Sequence, residues 1–344
     1  MLDVIRSSLL AEYSVGQWML VFYLCSFAGW CWEVSLYLVK ERRFVNRGFL
    51  SGPILPIYGF GALIVLATCL PVKDSALAVA LLGAFAATLL EYVTGFVMEH
   101  TFHVRYWDYS KRPLNLNGYV CLLSAVTWAV FSVAVVCIVH PAVHPYIRRI
   151  PTQIAGTMAA ALSAFAVVDV VFAVRRALDL RALLESMERY ARELEAVYGG
   201  LDTISDRVGD MIRSFAEQVD ERREELSAGL QHITSARGRV VQLLAEKRIS
   251  LEEGVRERFA NFESILEDVA DFLPDVSALR AEVEAAKERY DRQSEALRSV
   301  RARRMVRAKK VLRANPGVSS RWYGRALEQL ERARDERQKQ GTEE

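Results

Sequence analysis

Five long apolar runs, separated by short polar connections, occupy the first half of the chain. They cover approximately residues 16–39, 52–70, 75–98, 119–139 and 151–174. A membrane core about 30 Å thick needs roughly 20 apolar residues of α-helix to cross it, and each run has or approaches that length. The pattern predicts a polytopic helical membrane bundle of about five transmembrane helices within residues 1–176.

A different pattern starts at residue 177, where apolar residues recur every three or four positions among many charged ones. The first stripe consists of Leu180, Leu183, Met187, Tyr190, Leu194 and Val197. This spacing is typical of an amphipathic or coiled-coil helix. The adjacent Gly199 and Gly200 interrupt the stripe, and further helices are expected over residues 249–273, 276–313 and 320–334.

The expected fold class is therefore all-α, with three regions. A transmembrane helical domain at 1–176 precedes a cytoplasmic coiled-coil or helical-hairpin region at 177–314. A short C-terminal helix and charged tail follow at 315–344. A straight helix over residues 201–273 would be about 110 Å long, and a shorter return helix would then not reach the bilayer.

Charge supports this division of the chain. Residues 1–176 hold 22 charged side chains, whereas residues 177–344 hold 64. All five cysteines lie in the apolar runs without metal-ligand spacing, so we interpret them as small buried hydrophobic residues. No cofactor and no metal site are expected.

The connections between the runs predict an orientation. Ten Lys and Arg residues lie on one side, in the first and third loops and just after the fifth run, and four lie on the other. Because positively charged loops remain in the cytoplasm, the N-terminus is expected outside and the C-terminal half in the cytoplasm.

Residues 46–61, NRGFLSGPILPIYGFG, combine four glycines and two prolines at the start of the second run. Such residues favour irregular backbone, which is tolerated at membrane depth only where protein covers it or where it lines a wet cavity. We therefore expect a shaped loop beside a polar interior. Its candidate residues are Gly48, Gly52, Pro53, Pro56, Tyr58 and Gly59.

Two carboxylates inside the runs are expected at matching depth. Glu33 is the eighteenth residue of the first run and Glu91 the seventeenth of the third, and both runs head inward. Charged side chains facing lipid are costly, so both should point into the bundle and find partners. The candidate polar cluster, with Arg47 and Arg105 as countercharges, is Glu33, Arg47, Glu91, Glu99, Arg105 and Asp108.

The third loop holds an aromatic and charged mixture, namely His100, His103, Arg105, Tyr106, Trp107, Asp108 and Tyr109. One interpretation is an interfacial belt that anchors the span, and the other is a binding role. His100 and His103 share a helix face, but nothing supplies further metal ligands.

Four motifs resemble a known family. They are GWCWE at 29–33, NRGFLSGPILPIYGFGA at 46–62, LEYVTGFVMEHTFHVRYWDYS at 90–110 and PLNLNGYVCLLSAVTW at 113–128. In this order they resemble the bacterial membrane family called putative ABC-transporter type IV, over residues 14–175. The resemblance implies a multi-span inner-membrane protein that acts as a transporter permease. No G-x-x-x-x-G-K-[ST] phosphate loop occurs in the sequence, so an ATPase would be a separate subunit.

The segment 298–313 carries eight basic residues and no acidic one. They are Arg298, Arg301, Arg303, Arg304, Arg307, Lys309, Lys310 and Arg313. The segment can bind anionic lipid headgroups, or it can pair with neighbours such as Glu282, Glu284 and Glu288 in a packed hairpin. Nucleic acid is not an expected partner, because no nucleic-acid-binding fold accompanies the basic residues.

These observations leave three hypotheses for function. The first is a transporter component whose polar cluster lies near the cytoplasmic side. The second is a membrane-anchored scaffold or sensor that acts through the cytoplasmic coiled coil, which could also form a homo-oligomer. The third is an intramembrane enzyme with Glu33 and Glu91 as an acid/base pair, although no nucleophile or metal set accompanies them.

Overall fold

The computed structural model describes residues 13–42, 44–220, 253–270, 276–315 and 318–340. It is 83% helical and has no β-strand among these residues, which confirms the all-α prediction. The chain forms two compact units. Residues 1–185 and 303–344 form the first, and residues 186–302 form the second. The region borders predicted at residues 176 and 314 stay a prediction.

The membrane part begins with α1 (Val15–Glu41), α2 (Pro56–Cys69) and α3 (Ala76–Phe102). It continues with α4 (Leu122–Val133), a π-helical turn (Ala134–Val139) and α5 (His140–Arg149), and then α6 (Thr152–Asp220). Among the described residues, four helices are long and apolar enough to cross a membrane. A shorter apolar helix, Pro56–Val72, brings the number of candidate spans to five.

The start of α1 shows how local sequence fixes a helix end. The Ser14 hydroxyl accepts a hydrogen bond from the Gln17 backbone, and the Gln17 side chain accepts one from the Ser14 backbone. This capping box satisfies two N–H groups that the first helical turn leaves without partners. The helix ends where Arg42 adopts a left-handed conformation, with φ of 53°.

Glycines permit the close contact of α1 with α2. A Cβ atom added to Gly29 would overlap the Tyr58 ring, and one added to Gly59 would overlap Ser26 and Phe22. Glycine at these positions lets the two backbones approach closely. Gly29 lies one helical turn before Glu33, so the Tyr58 ring over Gly29 comes within reach of that carboxylate.

Three expectations about element bounds were wrong. The predicted fourth run ended at residue 139, but the helix continues to Arg149. The fifth run and the first charged stripe form the single helix α6, which passes through Gly199 and Gly200 because glycine costs a helix only about 1 kcal/mol relative to alanine. The shaped loop ends at Leu55, because Pro56 has the backbone preference of a first helical position, so Tyr58 and Gly59 are helical.

The unit at residues 186–302 contains the second half of α6 with α7 (Glu253–Val269) and most of α8 (Val276–Ala314). The three helices share one apolar core. Its buried members include Leu194, Leu201, Val208, Phe259, Phe262, Leu266, Leu279, Val283 and Tyr290. The predicted helix at 249–273 is described only between 253 and 270, and its remaining residues lie outside the described ranges.

The chain after α8 lies against the membrane part within the first unit. The Asn315 amide donates a hydrogen bond to the Gly48 carbonyl at 3.3 Å, and Arg105 and Ser319 exchange two backbone hydrogen bonds of 2.8 and 3.1 Å. The last helix, α9 (Gly324–Gln340), follows. These contacts join the chain after α8 to the first and third loops. The expectation that a shorter return helix would not reach the bilayer assumed a straight helix over residues 201–273, part of which lies outside the described residues.

Candidate functional site: two intramembrane carboxylates

Glu33 of α1 lies against α2. The Tyr58 hydroxyl donates a hydrogen bond of 2.8 Å to Glu33 Oε1, and the nearest Arg47 nitrogen lies 4.0 Å from Glu33 Oε2. The Arg47 guanidinium also lies over the Tyr37 ring, 5.0 Å from its centroid. The Glu33 carboxylate is therefore bound tightly by a neutral hydroxyl and only loosely by a cation.

Glu91 of α3 is 7% exposed, and its hydrogen-bond partners are neutral. The Trp128 indole N–H donates to Oε2 at 3.1 Å, and the Tyr109 hydroxyl donates to Oε1 at 3.4 Å. Within the described ranges, no Lys or Arg forms an ion pair with Glu91. A carboxylate buried at membrane depth without a cation is costly, and such residues usually serve function.

Aromatic side chains connect the two carboxylates. The Tyr58 and Trp128 ring centroids are 5.8 Å apart, and each of these residues donates to a different carboxylate. Burial raises the pKa of Tyr109, and the negative charge of Glu91, to which its hydroxyl donates, raises it further. We refer to Glu33, Tyr58, Glu91, Tyr109 and Trp128 as the carboxylate site.

An apolar cavity of about 190 Å³ adjoins the carboxylate site. Tyr58 and Trp128 belong to both, and Gly29, Trp32 and Phe131 are among the other lining residues, none of which is charged. Val135 and Val139 of the π-helical turn also line it. Turns of this kind are frequent at functional sites. The site therefore joins two acceptors for a cation or a proton to an apolar compartment.

Asp169 of α6 holds the shaped loop. Its carboxylate accepts hydrogen bonds from the backbone N–H groups of Ser51, at 2.9 and 3.1 Å, and of Gly52, at 2.7 Å. Arg176, about two turns further along the helix, lies 3.7 Å from the same carboxylate. Asp169 lies in the fifth apolar run of the sequence but was not among the predicted site residues. The signal was present, because Asp169 is the one acidic residue in that run.

A second polar group surrounds Arg105, which is buried with Glu99. The Arg105 Nε atom lies 2.7 Å from Glu99 Oε1, and these side chains are 2% and 1% exposed. Asp108 accepts from Arg105 at 3.2 Å and from the Ser319 hydroxyl at 2.9 Å, and Arg321 lies 3.6 Å from Glu99. We refer to Glu99, Arg105, Asp108, Ser319 and Arg321 as the loop ion cluster.

The environment of this cluster favours charged forms. Burial alone would raise the pKa of Asp108, but hydrogen bonds from Ser110 and Ser319 and the charge of Arg105 bring it below its usual value. Burial would lower the pKa of Arg105, but its hydrogen bond and Coulomb attraction to Glu99 raise it. The loop ion cluster is thus internally compensated, unlike the carboxylate site.

The six residues expected in one polar cluster therefore occupy two places. Glu33, Arg47 and Glu91 lie at or beside the carboxylate site, whereas Glu99, Arg105 and Asp108 form a separate group with the chain after α8. The partners Tyr109, Trp128 and Ser319 were not among the predicted site residues, because neutral donors leave no charge pattern in a sequence. Of the shaped-loop candidates, Gly48 has a φ of 112°, and Gly52 donates to Asp169. Pro53 lies beyond these contacts in the same loop.

The two histidines of the third loop face aromatic partners. His100 lies 4.0 Å from the Phe96 ring, and His103 stacks on Trp322 with 4.7 Å between centroids. Burial and then the positive charge of Arg181 lower the pKa of His103. The third loop therefore contacts the chain after α8 through rings as well as ions.

The basic segment on α8 also differs from expectation in its partners. Arg304 and Arg307 face Asp179, at 3.8 and 2.9 Å. Of the acidic neighbours proposed from the sequence, Glu282 pairs instead with Arg207, and Glu288 pairs with Arg292 at 3.2 Å. The segment thus meets α6 of the first unit through part of its length.

Comparisons with known proteins concern the membrane part. No curated protein and no solved structure gives a significant match to the chain. Residues 20–174, which include both carboxylates and Asp169, match the model of the family described as putative ABC-transporter type IV, and this match confirms the resemblance that the motifs indicate.

Proposed function

We propose that this chain is the membrane-embedded component of an ABC-type transporter and that the carboxylate site binds the cation or proton that takes part in transport. In this proposal the protein lies in a bacterial inner membrane, with its N-terminus outside and its helical half in the cytoplasm. The site then lies near the cytoplasmic side. The substrate itself is not identified.

The observation that carries the proposal is the bonding of Glu91. Its carboxylate is 7% exposed and receives its hydrogen bonds from the neutral Trp128 and Tyr109. A carboxylate that only locked a bundle would be expected to have a buried countercharge, as Glu99 has in Arg105. The lack of one at Glu91 leaves a negative site that a proton or cation can neutralise.

The surroundings of Glu33 support the same conclusion. Its only described cation, Arg47, is 4.0 Å away, at the limit of an ion pair. Glu33 and Glu91, whose donors Tyr58 and Trp128 have ring centroids 5.8 Å apart, therefore share at most one weak countercharge. Carboxylates with so little countercharge are suited to the uptake of a proton or a cation.

The proposed partners follow from the sequence and the family. The chain lacks a phosphate loop, so a separate ATPase subunit would supply ATP hydrolysis. The lipid bilayer surrounds the apolar helices. The helical unit at 186–302 is a candidate for homo-oligomer contacts or for contacts with another cytoplasmic protein.

Charge movement in reconstituted membranes tests the proposal. Full-chain protein in proteoliposomes on a solid-supported membrane would receive steps of pH or of alkali-cation concentration. We expect a transient current that Glu91→Gln abolishes and Glu33→Gln reduces. Asp74→Asn is the matched control, because Asp74 is an exposed carboxylate on the loop before α3. An unchanged current in folded Glu91→Gln protein would contradict a role for the site.

The second candidate is a scaffold or sensor, which the separate core of residues 186–302 favours. Asp179 and Arg307, which belong to the first unit and flank residues 186–302 in the sequence, form an ion pair of 2.9 Å, so a short Gly/Ser linker can replace residues 186–302. Full function of that variant in the native host would rule out the scaffold hypothesis. Loss of function with normal charge movement would support it.

A further inference from the structure

A cavity of about 390 Å³ lies between the loop after α1 and the end of α8. The loop contributes residues 44–46 and 48–51, and Tyr106, Ala173 and Arg176 add to the lining. The end of α8 and the residue after it contribute Lys310, Val311, Arg313, Ala314 and Asn315. None of these residues belongs to the carboxylate site.

The charged side chains that line this cavity are all positive. Its lining includes three cations, Arg176, Lys310 and Arg313, and no acidic residue. Arg176 is 3.7 Å from Asp169, whose oxygens already accept backbone hydrogen bonds. Lys310 and Arg313 have no ion-pair partner among the residues that the structure describes. The cavity therefore carries uncompensated positive charge.

Two of the eight cations in the basic segment, Lys310 and Arg313, line this cavity. Arg304 and Arg307 on the same helix face Asp179, so their charge is partly compensated. Lys310 and Arg313 lie one turn apart and face the loop at the end of an apolar span. Lys310 and Arg313 thus combine free positive charge with a concave surface.

An apolar border accompanies the charge. Phe44 is 65% exposed, and Val45, Phe49 and Leu50 line the same cavity. Cations beside apolar side chains at the end of a membrane span are the usual surroundings of an anionic headgroup, and basic pockets of this kind bind phosphate-bearing lipids.

We propose that this cavity binds a phosphate group, carried by an anionic membrane lipid or by a free phosphate compound, with Lys310 and Arg313 as the main cations and Arg176 completing the site. The loop at 44–51 and the end of α8 both line the cavity. A bound phosphate would therefore hold these two segments together. This site is independent of the proposed transport role.

The test uses full-chain protein in nanodiscs, with two arms that separate the sources. In the first, native mass spectrometry counts the phosphatidylglycerol that remains bound after extraction from mixed phosphatidylcholine and phosphatidylglycerol discs. In the second, calorimetry measures binding of inorganic phosphate in discs of phosphatidylcholine alone. The test variant is Lys310→Gln with Arg313→Gln. The control is Arg298→Gln with Arg301→Gln, which removes the same charge from exposed positions of α8 outside the cavity.

We expect the test variant to weaken retention of phosphatidylglycerol or binding of phosphate roughly 30-fold, since each basic residue near an anionic surface is worth about fivefold. The control should change neither. Lipid retention alone would assign a lipid, and phosphate binding alone would assign a soluble compound. Equal losses in both variants, or no loss in the test variant, would overturn the proposal. Lys310→Gln alone serves if the double variant does not fold, because Lys310 is exposed.

Discussion

The Tyr58 hydroxyl donates a hydrogen bond of 2.8 Å to Glu33, and the Tyr58 ring lies directly over Gly29, one turn earlier on the same helix. Tyr58 of α2 thus contacts both the glycine and the carboxylate of the motif GWCWE. The spacing of four residues in the motif has a geometric cause, because residues four apart lie on the same helix face.

Gly29→Ala should disrupt this contact. The added Cβ would overlap the Tyr58 ring, and overpacking of a close helix contact costs about 1–3 kcal/mol. We expect a lower midpoint of thermal unfolding for the purified full chain. Gly199→Ala is the control, because a Cβ added at Gly199 would meet nothing within 4 Å, and it should leave the midpoint unchanged or raise it. Equal midpoints for wild type and Gly29→Ala would contradict the close approach.

Asp169→Asn should release the shaped loop. The neutral amide keeps one acceptor for the N–H groups of Ser51 and Gly52 but loses the charge that attracts Arg176. Charge-assisted hydrogen bonds are about twice as strong as neutral ones. We expect faster hydrogen exchange over residues 46–55 and unchanged exchange over residues 186–220. Equal protection of the loop in both proteins would show that Asp169 does not hold it.

Arg105→Met should destabilise the membrane unit strongly. Removal of Arg105 leaves the buried Glu99 carboxylate with only the more exposed Arg321, 3.6 Å away, and breaking a buried ion pair costs about 3–5 kcal/mol. The double variant Arg105→Met with Glu99→Leu should recover much of the stability, because no buried charge remains. Chemical unfolding of all three variants in detergent measures the difference. A double variant no more stable than Arg105→Met would argue against the pair as the cause.

The contact of His103 with the chain after α8 should weaken in acid. Its pKa is lowered in the folded protein, chiefly by burial and then by Arg181, so folding favours the neutral ring. The stabilisation is present above the ordinary value near 6.5 and is lost as the pH falls through the lower folded pKa. Protection factors of residues 318–323 should therefore decrease below about pH 6.5. His103→Gln should remove this pH dependence, and an identical pH profile in the variant would contradict the assignment.

How much the sequence predicts depends on how local the cause is. The runs around Glu33 and Glu91 predict membrane helices because their length and apolarity alone decide the matter. The capping of α1 by Ser14 is also local. By contrast, Trp128 and Tyr109 reach Glu91 from a distant helix and loop, and no periodicity marks a neutral donor.

The division of the predicted polar cluster into two groups also has a cause that is not local in the sequence. Glu99 lies only two turns from Glu91 on α3, so spacing alone cannot assign the two to different partners. Arg105 decides the assignment, because it lies just after α3 and its short loop folds back on Glu99. Ser319 lies 211 positions after its partner Asp108, so no local spacing in the sequence predicts that hydrogen bond.

The hydrogen bond from Ser319 to Asp108 joins residues 211 positions apart and has a consequence for biosynthesis. During translation the third loop is made long before Ser319, so it emerges without the backbone and side-chain partners that it later acquires at Arg105 and Asp108. The ribosome must add residues 186–302 before the loop ion cluster can be completed. Completion of this membrane-side cluster is therefore a late event in the maturation of the protein, and truncated chains that insert normally would still lack it.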